Sequence, residues 1–379
     1  MKKKRRKNSH EQRKIRYAVV GLGYIAQAAV LPAFANARKN SELTALVSSD
    51  PLKLQKLSKK YGVKQTYSYD EFDQCLNEGS IDAVYIALPN SMHHEYTVRA
   101  AQAGIHVLCE KPMAVTEEEC KAMIRAADQG GAKLMIAYRL HFDEANLKAI
   151  ESTRSGKLGE LRIFNSLFCM QVGEGNIRLR EEMGGGPLFD IGIYCINAAR
   201  HLFQAEPMSV SAFNAAGEDA RFSSVEEMTG AVLTFPGNRL ASFVCSFGAS
   251  DVSSYQLVGS KGDLQVEMAY EFASPVKYHL TIGGRTRSYL FAKKDQFAPE
   301  LLHFSRCILN DVPPQPSGRE GLADIRVIQA LMKSAKDFTA VRLEQFGGIV
   351  TPQLDQKLQR PAARKPTLVH AKTPSMGGD

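Results

Sequence analysis

A lysine stands in the run Glu110-Lys111-Pro112, directly after the apolar stretch Ile105 to Cys109. Further on, Asp190 and Tyr194 sit four residues apart in Leu188-Phe189-Asp190-Ile191-Gly192-Ile193-Tyr194, behind the loop Gly184-Gly185-Gly186-Pro187. That spacing puts the acid and the phenol on one helix face. A carboxylate among apolar neighbours needs a partner. Lys111 is the obvious one, and the plainer account of Asp190 is a helix-terminal charge held by backbone amides. Tyr194 taken alone reads as structural. Near the start, Gly21-Leu22-Gly23-Tyr24-Ile25-Ala26 has the form of a nucleotide-binding turn. A cation fixed beside a dinucleotide is what hydride chemistry at an alcohol or carbonyl requires. The competing account of Lys111 is a surface charge at a loop.

The elements that must position these residues alternate in the first part of the chain. Strands are expected over 15–20, 43–48, 81–88, 105–109 and 133–137, with a short extended piece at 63–66. Helices fall between them, over 25–38 (kinked or split by Pro32), 51–61, 69–77, 93–103 and 116–129. Ser68 or Asp70 caps the third, and Thr116 with Glu119 forms a capping box on the last. This alternation predicts a parallel sheet with helices on both faces. In that setting Gly21, Gly23 and Ala26 match the dinucleotide fingerprint, alanine being permitted third. Gly21 allows the tight turn, Gly23 lets a pyrophosphate approach the backbone, and Ala26 lets the helix sit close to the sheet. Amides at the helix start, around Tyr24 and Ile25, can hold phosphates.

The end of the second strand bears on cofactor choice. NAD sites carry an acid there for the ribose hydroxyls. Here Ser48 and Ser49 come first, then Asp50, with Lys53 one turn into the next helix. Two hydroxyls and a cation suit a 2′-phosphate, so NADP is expected over NAD. Asp50 leaves NAD open, or merely caps the helix starting at Pro51.

Beyond residue 142 the texture changes to longer extended runs, at 161–169, 209–215, 230–235, 240–246, 255–258, 263–268, 278–282 and 287–291. Turns at Pro236-Gly237-Asn238, Gly259 to Gly262 and Gly283-Gly284 join them. A mostly antiparallel sheet with one helical face is expected, with helices over 300–309 and 320–340. At 379 residues two domains are the default. The division is a basic disordered tail over 1–13, a nucleotide-binding domain over 14–141, a substrate-binding and oligomerisation domain over 142–345, and a tail over 346–379. That last segment carries Pro352, Pro361, Pro366 and Pro374 and reads as an extended arm or a disordered tail.

The formal charge is +8, and residues 1–16 hold nine basic side chains against Glu11, which accounts for all of it. The body is neutral and offers no nucleic-acid surface. No apolar stretch approaches the roughly 18 residues of a membrane span, and no apolar segment follows the basic run as a secretory signal requires. The seven cysteines are scattered, without a CxxC pair, so reduced thiols, no metal and a cytoplasmic location are expected.

Taken together, Gly21-x-Gly23-x-x-Ala26, Pro89-Asn90-Ser91-Met92-His93-His94, Glu110-Lys111-Pro112 and Gly186-Pro187 through Tyr194 resemble the glucose–fructose oxidoreductase / inositol dehydrogenase / rhizopine-catabolism family, over about residues 14–345. The resemblance implies an N-terminal Rossmann domain plus a C-terminal α+β domain with a large, mostly antiparallel open sheet, through which homodimers or homotetramers form. It implies NAD(P)-dependent chemistry on a small-molecule sugar or polyol. Residue by residue, the resemblance implies that Lys111 corresponds to the catalytic or substrate-orienting lysine and Asp190 to the substrate-binding acid. Tyr194 replaces the histidine of many relatives and is similar to the glucose–fructose oxidoreductase branch. Leu88, Pro89, Asn90, His94, Glu110, Lys111 and Arg139 are implied for the cofactor, and Lys111, Tyr138, Asp190 and Tyr194 for the substrate. The family's Lys-Pro bond is commonly cis.

The implied chemistry has Tyr194 taking the proton of a C1 hydroxyl while Lys111 stabilises the developing oxyanion. The resemblance leaves open a transhydrogenase that keeps its nucleotide and a reductase of keto- or anhydro-sugars. A nucleotide-sensing protein without chemistry is the alternative from another class.

Overall fold

The computed structural model describes residues 13–376. The basic run Lys2 to Lys7 lies outside the described residues, so the expected N-terminal tail has no structural account. β1 (Ile15–Val20) ends at the glycine turn. Gly21 has φ +90°, and a Cβ there would stand 2.4 Å from the Ala87 carbonyl oxygen, so only glycine fits. The helix after it is divided: a π-helical segment, Ala26–Val30, leads into α1 (Leu31–Ala37). Pro32 occupies the first turn of α1, where its missing N–H costs least.

β2 (Ser41–Val47) runs to Asp50, whose carboxylate accepts from the Leu52 and Lys53 amides and caps α2 (Pro51–Tyr61). Next come β3 (Gln65–Tyr67), α3 (Phe72–Asn77), β4 (Ala83–Ile86), α4 (His93–Gln102), β5 (His106–Glu110), α5 (Glu117–Gln129) and β6 (Leu134–Ala137). The Thr116–Glu119 capping box is present on α5. At α3, Ser68 and Glu71 bond each other's amides instead of a side chain capping the helix directly, and the helix starts later than expected. The six strands are parallel in the order β3-β2-β1-β4-β5-β6. The order reverses between β1 and β4, and the crevice there is the nucleotide position of such sheets. Alternate strand residues fall into two buried clusters. Ala18, Val20 and Val84 face one way, and Tyr17, Val19 and Tyr85 the other. Both faces are covered, as a parallel sheet demands.

α6 (Glu144–Arg154) was not among the expected helices. Its signal is Asp143, which caps it through the Ala145 and Asn146 amides, with Leu147 and Ile150 on the buried side. β7 (Leu161–Cys169) follows. A second π-helical segment, Leu188–Gly192, then runs into α7 (Ile193–Phe203). β8 (Ser209–Ala215), β9 (Met228–Phe235), β10 (Arg239–Ser246), β11 (Val252–Gly259), β12 (Gly262–Glu267), β13 (Val276–Ile282) and β14 (Arg285–Phe291) come next. The chain continues through α8 (Ala298–Leu309), α9 (Gly318–Asp337) and β15 (Val341–Arg342). The second sheet has nine strands in the order β14-β13-β12-β11-β7-β10-β9-β8-β15. Only β7 and β10 pair in parallel. α7 and α9 pack on this sheet. The opposite face exposes Ile163, Leu167, Phe213, Val232, Leu240 and Val244. Register puts them together: Leu240 pairs Ile163 and Val244 pairs Leu167.

Both late helices return to the first domain. On α8, Ser305 Oγ lies 2.8 Å from Tyr17 Oη, and the Leu302 carbonyl accepts from Asn40 at 2.9 Å. α9 packs on α5 and β6, and Ser317 just before it bridges Met135. α9 is also tied to α7 by a buried knot: Arg200 Nη1 donates to Glu320 at 2.7 Å and to Asp324 at 2.5 Å. The arm after residue 346 is extended and packed on its own chain, with bridges Lys294–Pro361 and Val172–Ser375. No described helix is long and apolar enough to cross a membrane. All seven cysteines are buried free thiols.

Candidate active site

Lys111 directly follows β5 and forms a cis Lys111–Pro112 peptide, as the family resemblance implies. Its Nζ donates to the Asp190 backbone carbonyl at 2.7 Å and to Asp190 Oδ1 at 3.0 Å. It also lies 4.8 Å from the centre of the Tyr194 ring, within cation–π reach. Burial works against the ammonium, but Asp190, Tyr194 and Glu110 outweigh it and hold its pKa above the usual lysine value. The four-residue spacing therefore does present Asp190 and Tyr194 to one cation. The π-helical segment that carries Asp190 is a local form frequent at functional sites.

Asp190 has a second partner that sequence reasoning missed. Arg178 Nε donates to Asp190 Oδ2 at 2.6 Å. Burial alone would raise the Asp190 pKa; Arg178 and Lys111 reverse this and hold the carboxyl well below the usual range. The triple glycine makes this possible. Gly186 N donates to the Arg178 carbonyl at 2.9 Å, and a Cβ on Gly185 would sit 2.5 Å from that same oxygen. The loop folds against the Arg178 backbone only because glycine is there. Arg178 lies in a single 3-10 turn, Ile177–Leu179, and its twelve-residue spacing to Asp190 carries no helical or strand signal.

The Tyr194 hydroxyl accepts from Arg139 Nη2 at 3.2 Å, and the Arg139 guanidinium stands 5.1 Å from the ring centre. Arg139 is itself buried and held by Gln296 Oε1 and the Tyr270 carbonyl. Its charge is thus aimed at the tyrosine. Tyr138 faces away from the cleft: its hydroxyl donates to Asp324 Oδ2 at 2.6 Å. Tyr138 joins the α7–α9 knot through Asp324, and with Lys111, Arg139 and Tyr194 it lines a small cavity beside the cleft.

A cleft of about 670 Å³ runs between the two sheets. Its lining includes Gly21, Gly23, Tyr24 and Ile25 at one end, Ser48, Ser49, Asp50 and Lys53 beside them, then Leu88, Pro89 and Asn90, and Glu110, Lys111, Arg139, Asp190 and Tyr194. Ala26 packs in the core beneath the turn. Asn90 donates to the Gly184 carbonyl at 2.7 Å and so links the two halves of the wall. The histidine on the cleft is His93, and His94 is not part of the lining. His93 contacts the Pro112 and Leu88 carbonyls at 2.8 and 3.0 Å and cross-links the loops on either side of the lysine. Burial is the larger influence on its ring and lowers its pKa, although both carbonyls favour the imidazolium. Glu110 accepts from Tyr85 Oη at 2.7 Å, and burial raises its pKa against the pull of Lys111.

One buried group, His141, His201 and Glu320, has metal-ligand atoms within 4.8 Å of one another. Glu320 Oε1 already accepts from Arg200 at 2.7 Å, His201 at 2.9 Å and Asn197 at 3.2 Å. The guanidinium supplies the positive charge a metal would bring.

Residues 15–138 match the oxidoreductase family with an NAD-binding Rossmann fold, and residues 147–265 match the GFO/IDH/MocA C-terminal domain. The chain is 32% identical over 338 residues to a D-xylose 1-dehydrogenase [NADP(+)] of Haloarcula marismortui, covering 87% of this chain and 93% of that one. The chain belongs to the Gfo/Idh/MocA oxidoreductase family. Among solved Gfo/Idh/MocA structures, the aldose-aldose oxidoreductase from Caulobacter crescentus, complexed with glycerol, superposes with a TM-score of 0.83 at 39% identity, over 87% of this chain and 100% of the other. A variant of the 3-ketoreductase KijD10 from Actinomadura kijaniata, with TDP-benzene and NADP, superposes at 0.78 and 26% identity, over 85% and 98%. The xylose dehydrogenase and the aldose-aldose oxidoreductase are, by name, enzymes of sugars.

Proposed function

We propose that this chain is an NADP-dependent oxidoreductase that moves hydride between nicotinamide and a sugar, at C1 of an aldopyranose. The observation that carries the reading is the convergence of Lys111, Asp190 and Tyr194 at one end of a cleft whose other end is a glycine turn. The residues fit the dinucleotide. A Cβ on Gly23 would meet nothing within 4 Å, so the backbone there is open to a phosphate. The Lys53 ammonium borders the cleft and has no ion-pair partner among the described residues. Ser48 and Ser49 stand where a carboxylate would repel a 2′-phosphate. The NADP named for the xylose dehydrogenase and bound in KijD10 supports the same choice.

Bound NADP supplies the hydride acceptor or donor. The protein's part is positioning and proton transfer. In oxidation Tyr194 as the phenolate takes the proton of the C1 hydroxyl and becomes the phenol, and in reduction the phenol gives that proton to the sugar oxygen. The phenolate oxygen carries negative charge, which nearby positive charge offsets. Lys111 and Arg139, at 4.8 and 5.1 Å from its ring centre, provide two cations. Lys111 also stabilises negative charge on the reacting oxygen. Asp190, held by Lys111 and Arg178, accepts a sugar hydroxyl and fixes the ring's orientation.

The likeness to an aldose-aldose oxidoreductase favours a second form of the same reading, in which one sugar is oxidised and another reduced on a retained nucleotide. We further infer a homo-oligomer through the apolar outer face of the nine-stranded sheet, since a face bearing Phe213 at 65% exposure and Leu240 at 49% is unusual in a monomer. The buried free thiols suit a reducing, cytoplasmic location.

The test is mass analysis of nucleotide carried through purification, followed by a panel of aldoses with NADP and NAD. NADP(H) in the protein and aldose oxidation are expected. Predominant NAD(H) would overturn the part assigned to Ser48 and Lys53. Nucleotide binding without turnover on any sugar would favour a sensor.

A further inference from the structure

The C-terminal arm crosses the cleft and is fastened on both sides of it. On the first domain, Gln27 and Val369 pair in both directions: Gln27 Nε2 donates to the Val369 carbonyl at 2.8 Å, and Val369 N donates to Gln27 Oε1 at 2.7 Å. Gln27 is only 1% exposed and lies in the π-helical segment behind the glycine turn. Its Nε2 also donates to the Leu22 carbonyl, inside that turn, at 2.9 Å. One buried amide therefore holds the phosphate-binding turn and the arm together. The next arm residue, His370, brings Nδ1 to 3.0 Å from Asp50 Oδ2, beside Ser48 and Ser49.

On the second domain, the Pro374 carbonyl accepts from Gly173 N at 3.2 Å, Ser375 Oγ donates to Asp251 at 2.6 Å, and Met376 N donates to the Gln171 carbonyl at 2.8 Å. At and beside these fastenings Leu368, Thr373 and Pro374 form part of the cleft lining, and Lys365 adds a cation just before Leu368.

We propose that the arm is the outer wall of the dinucleotide site and that its Gln27–Val369 fastening slows the exit of the nucleotide. The inference rests on the cofactor reading above. The first-domain fastening meets the site at the adenosine end, on the glycine turn and Asp50, and neither fastening includes Lys111 or Tyr194. The arm therefore governs how long the nucleotide stays and not the chemistry on the sugar. A nucleotide under a strap leaves only when the strap lifts, and affinity differences of this kind appear in the release rate.

The experiment follows NADPH fluorescence while excess NADP⁺ displaces it, in the full chain, in a chain ending at Arg360, and in full-length Val369→Pro. Proline removes the donor to Gln27 and leaves the rest of the arm in place. Thermal melting identifies the variants that fold, and Val369→Pro carries the test where the truncation does not. Release about five-fold or more faster is expected in Val369→Pro, as the loss of one ordinary hydrogen bond predicts, and faster still in the truncated chain, which loses every fastening of the arm. A release rate within about two-fold of the full chain overturns the proposal. Tighter binding by the truncated chain also overturns it, because the arm would then be a competitor for the cleft. A full chain that binds no NADPH overturns the cofactor reading itself, and the arm's role with it.

Discussion

Lys111 grips Asp190 twice, through the backbone carbonyl at 2.7 Å and through Oδ1 at 3.0 Å. The cation comes from the end of a Rossmann strand and the acid from a helix of the other domain, so the site exists only where the two domains meet. Lys111→Ala removes the charge that stabilises the oxyanion. Turnover should fall about 10²- to 10³-fold, while NADPH affinity, read by fluorescence titration, stays close to the parent value. Near-normal turnover on the true sugar would remove the lysine from the mechanism.

Tyr194→Phe keeps the ring between Phe168 and Tyr270 and deletes only the hydroxyl that Arg139 holds. The single-turnover rate of hydride transfer should drop about 10²- to 10⁴-fold. A rise in KM with kcat intact would mean that the hydroxyl only helps to bind the sugar.

Asp190→Asn leaves Lys111 and Arg178 facing each other across a neutral amide in a largely buried place. Removing one partner of such a cluster costs about 3–5 kcal/mol. The sign of the pH dependence follows from the depressed Asp190 pKa. The unfolded chain binds this proton more readily than the folded one, so the stabilisation is complete above about pH 4 and is lost as pH falls below it. Denaturant unfolding at several pH values should find the variant weaker at neutral pH, with the gap narrowing in acid. A gap that does not change with pH would contradict the ion-pair account.

Lys53→Ala should weaken NADPH about ten- to hundred-fold, the worth of one charge-assisted hydrogen bond, and leave NADH almost unchanged. Calorimetric titration of both nucleotides measures it. Equal losses for the two would move the 2′-phosphate away from Lys53.

Phe213→Asp puts a charge on the apolar outer face of the second sheet, where Val232 and Leu240 are also exposed. Sedimentation should find a smaller species than the parent at equal concentration. An unchanged mass would mean that this face is not the contact between subunits.

The nucleotide-binding half was legible because its signals are local. Each strand is an apolar run of its own, Asp50 and Thr116 cap their helices by hydrogen bonds to the next few amides, and Gly21 marks its turn by a conformation no other residue takes easily. The Asp190–Tyr194 pair was legible for the same reason, since helix geometry alone makes them neighbours. Arg178, Gln296 and Gln27 were not. Each acts on a residue reached only through the tertiary fold: Arg178 across a glycine loop, Gln296 on Arg139, Gln27 on the arm. His93 and His94 are adjacent, and only the phase of α4 decides which one faces the cleft. Tyr138 follows β6 just as Arg139 does, yet the two point to opposite sides of the chain, one to Asp324 and the other to Tyr194.

The knot between Arg200 and the acids of α9 bears on how such a protein can be recombined. α9 follows the second sheet in the chain, but it lies on α5 and β6 of the first and is pinned to α7, the helix that carries Tyr194. A chimera that joined the first 141 residues to the remainder of another family member would bring a foreign α9 against a native β6, and would tilt the tyrosine's helix relative to the lysine it must meet. Exchange of substrate preference between relatives is therefore expected to proceed by loop grafts within one chain, and not by trading halves.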